Sequence, residues 1–282
     1  MAFRIVAAAA ALALSGGYAL DSQQPPAPVA APALTYADVA DLALAAPVAA
    51  HVRVVRAAAL RARDAQGVRA GHRRFLVSAE LVSLIRAPEA LPARLTWLVD
   101  LPNDSRGRAA RLPKRSELLV LATPVAGRPG ELRLVAPDAQ LPYSPAAADR
   151  LRAILREAAG AGSPPRITAI GRAFHVPGAI PGESETQIFL QTAGGRPVSL
   201  SILRRPGEEP RWAVSLAEFV DDNAAAPRRD TLLWYRLACT LPRTLPQQSL
   251  AQASAGEAAA IAADYRLVIE GLGPCVRSRR PS

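Results

Sequence analysis

The sequence predicts an α+β protein that is mostly β: a small antiparallel barrel or meander, then a second antiparallel β unit packed with two C-terminal helices. Three observations carry this expectation. Five short strand-like segments follow one another between residues 48 and 136 with no helical pattern between them, the mark of an antiparallel meander or a closed barrel. A Gly194-Gly195 pair separates two alternating runs, and glycine accepts the positive φ angles that a tight hairpin needs. Near the C-terminus, Ile261, Tyr265, Val268, Ile269 and Leu272 recur at helical spacing, as on the buried stripe of an amphipathic helix.

The elements follow in order. Thr35-Tyr36-Ala37-Asp38 reads as a capping box with Asp in place of the usual Glu or Gln. It opens a helix to about Ala46 with Val39, Leu42 and Ala43 on one face, and Pro47 stops it. Strands are expected over 48–57, 73–84, 94–101, 117–123 and 131–136. In the second, Phe75, Val77, Ala79 and Leu81 alternate with a mixed face; in the third, Leu95, Trp97 and Val99 oppose Arg94, Thr96 and Asp100. Such period-two alternation is that of a strand with one buried face. Ser144-Pro145 supplies a cap and a first-turn proline for a helix carrying Leu151, Ile154, Leu155 and Ala158, ended by Gly160 and Gly162. Ser163-Pro164-Pro165 reads as a domain boundary, dividing 35–162 from 163–282. Beyond it come strands at 166–176, 186–192, 197–203 and 211–217, then a helix capped by Asp230 or Thr231 and another bracketed by Gly256 and Gly271.

The N-terminus has the layout of a secretory signal peptide over residues 1–19: Arg4, an apolar run from Ile5 to Leu14, and small residues ahead of a cut after Ala19. The run is about half the ~20 apolar residues that span a bilayer, so the mature chain is expected to be periplasmic or secreted, with no transmembrane span. Residues 20–34 are rich in proline and alanine and read as an extended tether. The formal charge is +10, from 33 arginines and one lysine against 24 carboxylates. The basic pairs Arg73-Arg74, Lys114-Arg115, Arg204-Arg205 and Arg228-Arg229 and the cluster from Arg277 to Arg280 are spread along the chain without interleaved stacking aromatics, which argues against a nucleic-acid partner. They fit either solvated arginines or a long-range, salt-sensitive attraction to an acidic envelope surface.

Residues 230–242, DTLLWYRLACTLP, gather two aromatics, an arginine and one of two cysteines. In an exported chain an even cysteine count favours a disulfide, so Cys239 and Cys275 are expected to pair, with Leu233, Trp234 and Leu237 packing on the sheet. The bond would pin the basic tail near the helix pair. A reactive thiol is the alternative, without a C-x-x-C pair or a nearby histidine to support it.

Catalytic signatures are sparse. The three histidines, His51, His72 and His175, sit in no H-E-x-x-H or H-x-H spacing, so no metal site is expected. G-x-S-x-G, S-x-x-K and phosphate-binding glycine loops are lacking too, and no cofactor is expected. Asp100, Asn103 and Asp104 form an oxygen-rich loop that reads as an Asx turn, with weak calcium binding as the alternative. The segment to inspect for a ligand is the loop HVPGAIPGESETQ, with His175, Glu183, Ser184 and Glu185 close in sequence.

The order YADVADLALAAPVAAHVRV, SETQIFLQT, DTLLWYRLACTLP, from about Thr35 to Cys275, resembles a group of exported alphaproteobacterial proteins of the sphingomonad type, which carries no activity over. Residues 35–136 are similar in layout to OB-type and netrin-like modules, and that resemblance implies binding rather than catalysis. The expectation is therefore a non-enzymatic binding or structural protein of the cell envelope, partnered by an envelope protein or an acidic envelope surface. The alternative is a hydrolase of an envelope polymer, acting through convergent carboxylates or the His175–Glu185 loop.

Overall fold

A computed structural model describes residues 34–109, 111–216 and 224–279. The expected leader and nearly all of the tether lie outside the described residues. The first helix, α1 (Tyr36–Ala45), starts with the expected box: Thr35 Oγ1 accepts from the Asp38 amide and Asp38 Oδ2 accepts from the Thr35 amide. At its other end the Arg86 guanidinium donates to the carbonyls of Ala43 and Ala46, placing positive charge at the negative end of the helix dipole.

All five expected strands form: β1 (Val48–Ala59), β2 (His72–Arg86), β3 (Arg94–Pro102), β4 (Glu117–Pro124) and β5 (Glu131–Leu134). They close into a barrel in the order β1-β2-β3-β5-β4, with β4 returning to β1. A ring of five strands cannot alternate direction all the way round. One neighbouring pair must therefore be parallel, and it is β3 with β5, through Thr96 opposite Glu131 and Trp97 opposite Leu132. Register shifts along β1 bend it, so that it pairs with β2 on one side and β4 on the other. A three-residue strand, β6 (Gln140–Pro142), adds beside β4; it is too short for alternation to reveal. The interior is filled by Val48, Val52, Val77, Leu95, Trp97 and Val120, among others. Trp97 satisfies its indole N–H on Gln140 Oε1 at 2.8 Å.

Helix α2 (Pro145–Ala159) follows, capped by Ser144 as read from the sequence. The second sheet is a run of antiparallel hairpins in the order β10-β9-β8-β7, made of β7 (Ile167–Pro177), β8 (Ser184–Thr192), β9 (Val198–Arg204) and β10 (Arg211–Ser215). Two helices close the chain: α3 (Leu232–Ala238), capped by Thr231, and α4 (Ala255–Leu272), which has a Ser254/Glu257 capping box and ends at Gly273 with φ +68°. One apolar cluster joins α1, α2 and the outer side of β1 and β4 (Ala49, Leu119, Leu121) to the inner face of the second sheet and to Trp234, Leu237, Ile261 and Tyr265. It runs across Ser163, where composition marks a boundary.

Cys239 and Cys275 stand as a disulfide-compatible pair, Cα atoms 5.1 Å apart and 36 residues apart in sequence. The tail beyond them reaches α1. Arg277 grips Asp41 with Nε and Nη2 at 2.6 and 3.1 Å, and Arg279 grips Asp138 in the same two-pronged way at 2.7 and 2.6 Å. Between them, the amides of Ser278 and Arg279 and the Ser278 hydroxyl donate to Asp38. Burial alone would raise the Asp38 pKa; the hydrogen bonds from Ser278, Thr35 and Arg279 outweigh it and hold the carboxyl well below the usual carboxylate range. Tyr235 donates to Asp41 at 2.6 Å, and burial, then this bond, push its pKa up to about 12.

Candidate binding surface

The segment singled out in the sequence is the β7–β8 hairpin. Its register sets Phe174 opposite Gln187, His175 opposite Thr186, Val176 opposite Glu185 and Pro177 opposite Ser184. The connection over 178–183 is closed by the Gly178 amide on the Glu183 carbonyl (2.8 Å) and the Glu183 amide on the Ile180 carbonyl (3.0 Å). Gly182 takes φ +86° there, a left-handed conformation that favours glycine. Because side chains alternate across a strand, the hairpin has two unlike faces.

The inner face is polar at this end and bolted to α4. The Asp264 carboxylate is 1% exposed. Its Oδ1 accepts from Arg204 Nε at 2.7 Å, and its Oδ2 accepts from the fully buried Thr186 hydroxyl at 2.5 Å. A threonine has one hydroxyl proton, and here it goes to Asp264. The contact between Thr186 Oγ1 and His175 Nδ1 at 2.8 Å is therefore donated by the histidine. His175 Nδ1 lies 3.9 Å from Asp264 Oδ2, with the threonine between them. Three strands are thus tied to one carboxylate on α4.

The outer face is apolar. Phe174 and Phe189 are 41% and 40% exposed and meet edge to face, centroids 6.0 Å apart at 78°. The Arg172 guanidinium carbon lies 5.8 Å from the Phe174 ring centroid. Val176 and Ile180 extend this patch to the hairpin tip at 62% and 59% exposure. Gly171 makes room for it: a Cβ there would sit 3.1 Å from the Phe189 carbonyl, beside the register shift between Ile170 and Ala173.

The four expected ligand residues do not converge. His175 and Ser184 lie on the inner face, Glu185 lies on the outer face where it accepts from Gln187 Nε2 at 2.9 Å, and Glu183 belongs to the connecting turn. Phe174 and Phe189 are not among the expected ligand residues, although the sequence carries a signal for them. Phe174 shares strand parity with Arg172, and Phe189 with Gln187 and Gln191, so each aromatic falls on the polar side of its strand. The other histidines have local partners: His51 stacks on Tyr143 with centroids 3.7 Å apart and meets Glu117 at 3.2 Å, and His72 meets the Ala70 carbonyl. In the oxygen-rich loop, Asp104 Oδ1 accepts from the amides of Arg106 and Arg108, an Asx turn, and Arg74 clasps Asp100.

Among the described residues no three His, Cys, Asp or Glu side chains gather as a metal site, and no helix is long and apolar enough to cross a membrane. Neither a family model nor a curated protein matches the chain.

Proposed function

We propose that this chain is an exported, non-enzymatic binding protein of the cell envelope that grips a partner protein through the outer face of the β7–β8 hairpin. The observation that carries this reading is the solvent-exposed Phe174–Phe189 pair with Arg172 beside it. Aromatic residues, phenylalanine among them, and arginine are enriched in protein interfaces, and holding them rigid lowers the ordering cost of binding. Rigidity comes from behind, where the His175–Thr186–Asp264–Arg204 network anchors three elements at once. The charges around the patch are mixed, with Arg172 and Arg205 beside Glu183, Glu185 and Glu208, which suits the polar rim of a protein interface better than an acidic surface.

Export is supported by the signal-like N-terminus and by the cysteine pair, whose oxidised form belongs to an oxidising compartment. In the hydrolase alternative, the His175 arm would have to draw on Asp264, whose Oδ2 lies 3.9 Å from its Nδ1. The Asp264 carboxylate is cut off from solvent and already engaged by Arg204 and Thr186, leaving it unsuited to taking a proton from a substrate. A pull-down from envelope extracts with the wild type and with Phe174→Ser/Phe189→Ser tests the reading. The expected result is a protein retained by the wild type at low and high salt and lost by the variant. Equal retention by both would remove the hairpin as the docking face.

A further inference from the structure

The basic residues look dispersed in the sequence, but the fold collects them. The β1–β2 loop and the β3–β4 loop meet at one end of the barrel, joined by the Asn103 amide on the Gly71 carbonyl at 2.7 Å and by Arg115 and Val54 at 2.7 Å. Residues 53–74 and 100–117 together hold twelve arginines and lysines against four carboxylates, a net +8 in a chain whose total is +10. The four carboxylates are already taken: Asp64 by Arg63, Asp100 by Arg74, Asp104 by Arg108, and Glu117 by Arg53. Among the described residues, Arg61, Arg69, Arg106, Arg111, Lys114 and Arg115 are exposed and pair with no carboxylate. An open groove of about 630 Å³ runs between Arg53, Val54, Val55, Lys114 and Arg115, with Glu80, which meets Arg94 at 3.8 Å, on its wall. Arg115 borders it from the turn at 114–115, where its backbone is left-handed, φ +67°.

From this we infer a second binding surface, independent of the hairpin, that takes a linear polyanion of the acidic-glycan class. Like charge concentrated along a groove attracts a polyanion by releasing its counterions. Neither loop presents an exposed large apolar or aromatic side chain among the described residues. The surface therefore lacks the stacking platform that single-stranded nucleic acid uses and the apolar wedge that enters a bilayer.

The test measures binding of heparin oligosaccharide, as a sulfated-glycan probe, across a salt series. Four proteins are compared: the wild type, Arg61→Ser/Arg69→Ser/Arg111→Ser/Lys114→Ser, the equally charged control Arg156→Ser/Arg205→Ser/Arg243→Ser/Arg266→Ser, and Phe174→Ser/Phe189→Ser. The barrel-end variant is expected to lose about tenfold or more in affinity with a shallower salt slope. The control and the phenylalanine variant should keep near wild-type binding. Equal losses in the two arginine variants would reduce the effect to net charge and overturn the site. Tighter binding of phosphatidylglycerol vesicles or of single-stranded DNA through the same four residues would overturn the glycan assignment.

Discussion

Replacing Cys239 and Cys275 by serine together removes the covalent tie between α3 and the segment after α4. The bond closes 36 residues, and cross-linking a loop of that size lowers the entropy of the unfolded chain by about 13 cal/mol/K, or roughly 4 kcal/mol at 25 °C. The native tail has other anchors in the Arg277–Asp41 and Arg279–Asp138 forks and the bonds to Asp38. The variant should therefore keep the same folded structure and lose stability through its unfolded state. For a unit of this size each kcal/mol corresponds to roughly 2–4 °C of melting temperature, so a drop of about 8–15 °C is expected. Thermal unfolding followed by circular dichroism gives the number, with reductant added to the wild type as a second route to the same state. A loss of less than about 1 kcal/mol, from protein whose mass shows the bond was present, would refute the loop-entropy argument.

Asp38 makes stability depend on acid. Its folded pKa lies below the ordinary 3.8, so its contribution is complete above that value and lost as pH falls through the folded one. Acid unfolding should steepen below about pH 4 in the wild type, and Asp38→Asn should flatten that limb. Thr186→Val keeps the side-chain volume but strips Asp264 of a donor and His175 of its acceptor. A loss of about 1–3 kcal/mol in denaturant unfolding is expected, and an unchanged midpoint would show the network to be dispensable.

Much of the local structure was legible in the sequence. The Thr35–Asp38 box, the Ser144 and Thr231 caps and the five barrel strands stand where caps and period-two alternation place them, because those signals depend on neighbours in the chain. What could not be read depends on distant returns of the chain. Alternation shows that Trp97 faces inward but not that its strand lies parallel to β5. Thr186 and Asp264 are separated by 78 residues, and no local pattern joins a strand threonine to a helix aspartate. Asp38 was visible as a capping residue, while its hold on Ser278 and Arg279 appears only once the tail has folded back. The same holds for charge: the arginines of residues 53–74 and 100–117 are separate in sequence and share one surface because β2 and β3 pair with His72 opposite Pro102.

In the proposed function the hairpin's aromatic face seats a partner protein. Placing a photo-crosslinking amino acid at Phe189, and in a matched protein at Leu98 on the exposed barrel wall, and irradiating the envelope in living cells addresses it most directly. A discrete cross-linked protein from position 189 and none from position 98 is the predicted result. Identical adduct patterns from both positions, or none from 189 in protein recovered from the envelope, would contradict it.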